Sequence, residues 1–327
     1  MKRITLRTLA LGWVALSLPL PALGSLDGKL TLHHSEDGET WTTIEITPEM
    51  IDEEGRLSLT GVSNPSFFRL DVTDFTVSPA PAGMVLVEGG TLSTSNALDG
   101  TEVDTFYIGR YEVTWGEWQE VRAWAAANGY DIGSAGDGCS DEHPVGFVSW
   151  HDVLKWCNAK SEMRGFDPVY IASGEVFRSG DFGDDDSTSI KWMRDLNGYR
   201  LPGEAEWEFA ARGGNRSKGF KFSGSDNLDE VGWYVSNSSG SECAWTGDLG
   251  PWPVGQKQPN ELGLYDMSGN NIEWVWDANP SREGSRFFRG GGYDFFEGFS
   301  RVSARYFDPP TSASAFHGFR LARNSGH

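Results

Sequence analysis

Cysteine is scarce in this chain and runs out early. Only Cys139, Cys157 and Cys243 occur in 327 residues, and none follows Cys243. The count is odd, so at most one intrachain disulfide can form. Cys139–Cys243 is the expected pair, because both lie in Gly/Ser-rich loop sequence, whereas Cys157 falls on an apolar helical face and reads as a buried thiol. Basic residues are also few: 27 Lys and Arg stand against 47 Asp and Glu, a net charge of −20. That balance excludes nucleic acid or an anionic membrane as the main partner, since both need basic patches. Apart from Leu9–Leu18 no long apolar run exists, and that one is too short for an ordinary membrane span. Several chemistries are missing as well. There is no G-x-S-x-G elbow, no phosphate-binding P-loop, no G-x-G-x-x-G after a strand, no H-E-x-x-H and no paired C-x-x-C.

Glycine and tryptophan are abundant, at 41 and 14 residues. Many glycines imply many turns and a loop-rich fold, and tryptophans supply core volume where regular structure is sparse. At the N-terminus, Lys2, Arg3 and Arg7 precede the apolar stretch, and Ala22-Leu23-Gly24 follows it as a small-residue cleavage signal. Residues 1–24 therefore read as a secretory signal peptide, which predicts a periplasmic, extracellular or cell-surface protein. Residues 25–77 read as a small β module, with alternating stretches at Leu30–His34 and Trp41–Ile46 around a turn signal at Asp37-Gly38, and further strand-like pieces at Arg56–Leu59 and Phe67–Leu70. Residues 78–83, rich in proline and alanine, form a stiff linker. The main domain spans residues 84–327, with an acidic loop at Asp181–Ser187.

Three helices are expected in that domain. Thr114 and Glu117 form a capping box before Trp118, Val121 and Ala125, and Asn128-Gly129 ends the helix. Ser149 and Asp152 start a second, on which Trp150, Val153, Leu154 and Cys157 share a face. Pro202, Glu204 and Glu206 start a third over Gly203–Arg212, and Gly213-Gly214 stops it.

A series of strings carries the functional reading. Met84-Val85-Leu86-Val87-Glu88-Gly89-Gly90, Tyr111-Glu112-Val113-Thr114 and His143-Pro144-Val145 with Val148-Ser149-Trp150 come first. Arg200-Leu201-Pro202-Gly203-Glu204-Ala205-Glu206-Trp207-Glu208 and Gly263-Leu264-Tyr265-Asp266-Met267-Ser268-Gly269-Asn270 follow, then Glu273-Trp274, Arg289-Gly290-Gly291 and Gly318-Phe319-Arg320. In this order they resemble the formylglycine-generating enzyme, or sulfatase-modifying factor, family over residues 84–323. The resemblance implies an α+β fold similar to C-type lectins, with little regular structure. It also implies calcium at Asp266, the Gly269 and Asn271 carbonyls and Glu273, a run in which oxygen donors recur as a hard cation requires. The family's second calcium is not expected, because Val231-Gly232-Trp233 lacks a side-chain donor.

Enzymes of that family oxidise a client cysteine at two cysteines that bind copper(I), between the RGG and GFR strings. Here that interval has no cysteine: Glu297 and Val302 stand at or near the two positions. A carboxylate and a valine cannot form a dithiolate copper site, so the family's catalytic route is not expected. The remaining cleft candidates are Glu297, Phe299, Ser300, Arg301, Ser303, Arg305 and His317, and Phe295, Phe296 and Tyr306 would line a peptide groove. The principal reading is a binding or accessory protein for a protein or peptide client in the same exported compartment. One alternative is an oxidoreductase or protein-modifying enzyme using another metal in the same cleft, for which non-haem iron at His143, His151 and His317 with a carboxylate is the option considered. The other is a calcium-dependent glycan-binding module. Client identity and oligomeric state are not legible.

Overall fold

A computed structural model of the chain describes residues 81–180 and 189–325, together with four strands nearer the N-terminus. The chain divides into two compact units, Met1–Ala82 and Gly83–His327. In the first unit, strands β1 (Arg3–Arg7), β2 (Lys29–Ser35), β3 (Thr42–Ile46) and β4 (Phe67–Thr73) form an antiparallel sheet in the order β1-β4-β2-β3. Strand β1 falls inside the segment expected to be a signal peptide. The apolar stretch Leu9–Leu18, the cleavage signal, the expected strand Arg56–Leu59 and the acidic loop Asp181–Ser187 lie outside the described residues.

The second unit is assembled from short elements. Strands β5 (Met84–Val87), β8 (Phe106–Gly109), β12 (Tyr199–Arg200) and β17 (Ala322–Asn324) form one antiparallel sheet, ordered β12-β17-β8-β5. Near it β6 (Gly90–Thr91) and β7 (Glu102–Val103) pair as a small ribbon. A separate sheet orders β15 (Tyr306–Asp308), β14 (Arg286–Arg289), β13 (Ile272–Ala278) and β16 (His317–Gly318). Its β13–β16 pair is parallel, so His317 sits opposite Ile272 and Gly318 opposite Glu273. This register sets the GFR and GLYDMSGN strings side by side. A third sheet holds β9 (Tyr170–Ala172), β10 (Glu175–Val176) and β11 (Ile190–Trp192).

The helices begin where their caps dictate. Helix α1 (Trp115–Ala127) has Thr114 as N-cap, accepting from Glu117 N, and buries Trp118, Val121 and Ala125. Glu117 does not close the expected capping box; its carboxylate takes Lys160 Nζ at 2.5 Å instead. Helix α2 (Trp150–Met163) carries a complete box between Ser149 and Asp152. Helix α3 (Glu204–Ala211) starts with Gly203 N donating to Glu206 Oε2 at 2.7 Å and stops at Gly213, whose φ is 92°.

Tryptophan does make the core. Trp118, Trp150, Trp156, Trp207 and Trp274 are fully buried. Each of their indole N–H groups donates: to Ala135 O, Val275 O, Trp118 O, Glu273 Oε2 and Val148 O, respectively. Trp118 and Trp156 stack at 5.5 Å between α1 and α2, with Phe319 edge-on to both. Such rings combine large buried area with one satisfied polar atom. Each therefore stabilises by about 1.5–3 kcal/mol while tying its ring to one fixed acceptor, a backbone carbonyl in four cases and the Glu273 carboxylate for Trp207.

Candidate functional site

Three arginines in the signature strings are buried, and each is compensated by acids. Arg289, at the end of β14, donates to Glu204 Oε1 at 2.9 Å and Glu208 Oε2 at 2.6 Å, and also to Val302 O. Arg320 forks onto Glu273 at 2.7 and 2.6 Å and reaches Tyr265 O at 2.9 Å. Arg200 pairs with Glu206 at 2.7 and 2.8 Å. Burial pushes the Glu208 carboxyl up, but Arg289, Thr94 and Asn96 outweigh it and hold it below its ordinary value. After Arg289 the backbone turns through Gly290 and Gly291, at φ 93° and 72°. A Cβ on Gly291 would lie 2.5 Å from Ser300 Oγ, so only glycine lets the turn Glu297–Ser300 approach this closely.

Beside that turn runs a row of half-buried rings to which it contributes Phe299. Phe316 meets Phe295 at 5.1 Å, Phe295 meets Phe299 at 5.5 Å, and Phe299 stacks on Tyr306 at 5.0 Å. Phe296 projects outward, 71% exposed. Beneath the row His317 stacks on Trp274 at 4.7 Å. His317 Nδ1 faces Ser314 Oγ at 2.7 Å and accepts from Ser314 N, and its Nε2 lies 3.3 Å from Asp308 Oδ2. Ser140 and His143 make the same contact at the same spacing, 2.7 Å, so the Ser–His pair is a turn staple that recurs in this fold.

The structure gathers only some of the expected cleft residues. Phe299, Ser300 and His317 belong to the ring cluster or its floor, and Ser300 Oγ is buried without a hydrogen-bond partner. Glu297 points outward to Lys221 Nζ at 2.8 Å, and Arg301 is exposed. Ser303 is half-buried. Arg305 turns away and forks onto Glu204 at 2.7 and 2.6 Å. Val302 lies in the hydrophobic core with Phe287 and Trp207. The two positions aligned with the family's cysteines are thus a surface carboxylate and a core methyl pair. His143, His151 and His317 sit in separate packing environments. Among the described residues no three His, Cys, Asp or Glu side chains are arranged to hold a metal ion.

The expected calcium run forms a tight loop. Asp266 and Asn270 adopt left-handed backbone at φ 58° and 64°, and Gly269 packs against Trp233 O. Asp266 Oδ2 accepts from Gly255 N at 2.7 Å, while its Oδ1 is buried without a partner, as is Asn271 Oδ1. Glu273 is committed to Arg320 and to Trp207 Nε1 at 2.6 Å. A third carboxylate, read in the sequence only as part of a string, joins them: Glu112 accepts from Asn270 Nδ2 at 2.7 Å and Asn271 N at 2.8 Å. Burial, then Asp266 and Glu273, push Glu112 well above the ordinary carboxylate range, and burial raises Asp266 to about 6. Three acids against one guanidinium leave the cluster short of positive charge, and its orphaned oxygens are hard donors. That chemistry fits a cation at Asp266, with Glu273 serving mainly to orient Arg320.

A separate concavity of about 220 Å³ lies at the start of α3, lined by Trp192, Arg194, Glu102, Asp104 and Asp277, among others. Its acids are largely spoken for: Glu204 and Glu206 pair with arginines, and Asp277 Oδ2 accepts from Glu204 N at 2.6 Å. The three cysteines are equally committed. Cys139 and Cys243 form a disulfide, and Cys157 is buried, its pKa pushed up chiefly by that burial.

Comparison with known proteins follows the same strings. Residues 71–325 match the model of the "Sulfatase-modifying factor enzyme 1-like domain". The chain is 39% identical over 232 residues to "Chaperone protein LppX" of Paenibacillus barcinonensis, covering 64% of this chain and 78% of that protein. It is 35% identical over 136 residues to "Inactive C-alpha-formylglycine-generating enzyme 2" of Mus musculus, covering 39% of this chain but only 44% of the mouse protein. Its structure is similar to that of CarF, with a TM-score of 0.62 and 31% identity, over 75% of this chain and 99% of CarF. The buried Arg–Glu pairs that join the signature strings, and the match over most of the chain, lead to one conclusion: this chain belongs to the sulfatase-modifying factor family.

Proposed function

We propose that this chain is an exported accessory protein that holds a segment of a client polypeptide in the aromatic cleft and does not oxidise cysteine. The observation that carries this reading is the row of half-buried rings. Phe295, Phe299, Tyr306 and Phe316 present rings within the interval where the family's enzymes carry their two cysteines, and each of the three cysteines here is in a disulfide or the core. Soft copper(I) needs soft donors, and this site has none. Half-buried rings instead suit apolar side chains of an extended peptide. Similarity to a protein named a chaperone, and to one named an inactive member, supports the same reading. Calcium held through Asp266 and neighbouring carbonyls would neutralise the acidic cluster and brace the loop beside β13.

The test uses the purified full-length chain. Aggregation of a chemically denatured hydrolase should be suppressed by the wild type and several-fold less by Phe299→Ala. A cysteine-containing sulfatase peptide, supplied with copper and dioxygen, should yield no formylglycine. Calcium should raise the melting temperature of the wild type and leave Asp266→Asn nearly unmoved. Copper-dependent conversion of the peptide would overturn the proposal.

A further inference from the structure

Three loops, residues 131–149, 236–256 and 306–317, meet on one face of the second unit. The Cys139–Cys243 disulfide joins the first two. Val254 N donates to Glu142 O, and Phe147 N donates to Ser314 O at 2.9 Å, bringing in the third. Where they meet, two aromatic rings lie edge to face, Phe147 and Trp245, 5.2 Å apart. Phe147 is 37% exposed and holds φ at 56°, left-handed backbone that a bulky aromatic rarely adopts. Gly146 beside it cannot be larger: a Cβ there would lie 2.3 Å from Ala315 O and 2.7 Å from Trp245.

The loops themselves carry charge of one sign; Arg122, which donates to Ala135 O, and Arg282, over the Phe307 ring, reach their edges from neighbouring elements. Asp137, Asp141, Glu142, Glu242 and Asp248 are all exposed, and no Lys or Arg occurs in any of the three loops. Among the described residues none of these five acids pairs with a basic side chain. Carboxylates without a basic partner, beside one exposed ring, Phe147, and one half-buried ring, Trp245, attract a cation carried on an apolar stem, which is the chemistry of arginine and lysine. The face also borders the cleft, because Phe316, next to Ala315, touches Phe295.

We infer that this acidic aromatic face docks a basic segment of the client polypeptide, one in which arginine or lysine alternates with apolar residues. The inference rests on the accessory reading above and names the partner chemistry outside the cleft. Acids steer the segment in, and Phe147 and Trp245 take the cationic side chains on their ring faces.

Fluorescence anisotropy on the full-length chain tests it, with a labelled synthetic peptide of alternating Arg and Leu and a Glu–Leu peptide of equal length. The Arg–Leu peptide should bind and weaken as salt rises, and the Glu–Leu peptide should not bind. Affinity should fall roughly tenfold in Phe147→Asn and in the triple variant Asp141→Asn/Glu142→Gln/Glu242→Gln. Asparagine tolerates left-handed backbone, so Phe147→Asn keeps the loop folded while removing the ring. Equal binding of both peptides, or unchanged affinity in both variants, would sink the docking face. Phe299→Ala in the same assay separates the two readings. Loss confined to Phe299→Ala overturns the face and keeps the cleft. Loss confined to Phe147→Asn and the triple variant sustains the face and counts against the cleft.

Discussion

Arginine 289 illustrates how much of this fold rests on single side chains. It is fully buried between Glu204 and Glu208, and its removal would strand two carboxylates in the core. Arg289→Leu should cost about 3–5 kcal/mol at neutral pH, measured by denaturant unfolding. The pH dependence has a definite sign. Arg289 and its hydrogen-bonding neighbours hold the Glu208 carboxyl below its ordinary value. A depressed carboxylate stabilises the fold above its unfolded pKa, and that stabilisation is lost as pH falls through the folded value. The wild type should therefore lose stability in acid, and the gap to Arg289→Leu should narrow there. The signature residues were readable as a pattern, but their role as mutual counter-ions was not. Glu204 and Glu206 read as first-turn acids and Glu112 as part of a string, but none had a readable counter-charge, because a buried partner far along the chain leaves no local mark.

Among the elements, the helices were the most legible, since their signals are local. Ser149 Oγ accepts from Asp152 N, and the Asp152 carboxylate returns to Ser149 N. Ser149→Ala should lower stability by about 1 kcal/mol without altering the cleft, as judged by thermal melts and the aggregation assay. The capping box expected at Thr114 is half made, because Lys160 of α2 competes for Glu117 and a buried amine is the more demanding partner. The two-residue strands β6, β12 and β16 carry no alternation long enough to read. They exist because neighbouring backbone supplies their hydrogen bonds.

Across the whole second unit, many loops are held by one disulfide and by buried side chains. Cys139 and Cys243 are separated by 104 residues, a span for which loop closure in the unfolded chain is worth about 4–5 kcal/mol. The double variant Cys139→Ser/Cys243→Ser should lose about 2–5 kcal/mol in denaturant melts. It should also weaken binding of the Arg–Leu peptide more than it affects the cleft assay, because the bridge clamps the face carrying Trp245.

From the sequence alone came the family, through its ordered strings, and with it the α+β class; three helices, the disulfide and the want of sulfur near the C-terminus followed from local pattern or residue count. Tertiary structure alone decided which expected site residues meet. It sent Arg305 to Glu204, Glu297 to Lys221 and Val302 into the core, and it gathered Phe295, Phe299, Tyr306 and Phe316 into one row. It also brought Glu112 to Asp266 and set Phe147 against Trp245. The reason is physical: burial makes a charge seek whichever counter-charge the fold brings within reach, and neither burial nor reach is written at any one position in the chain.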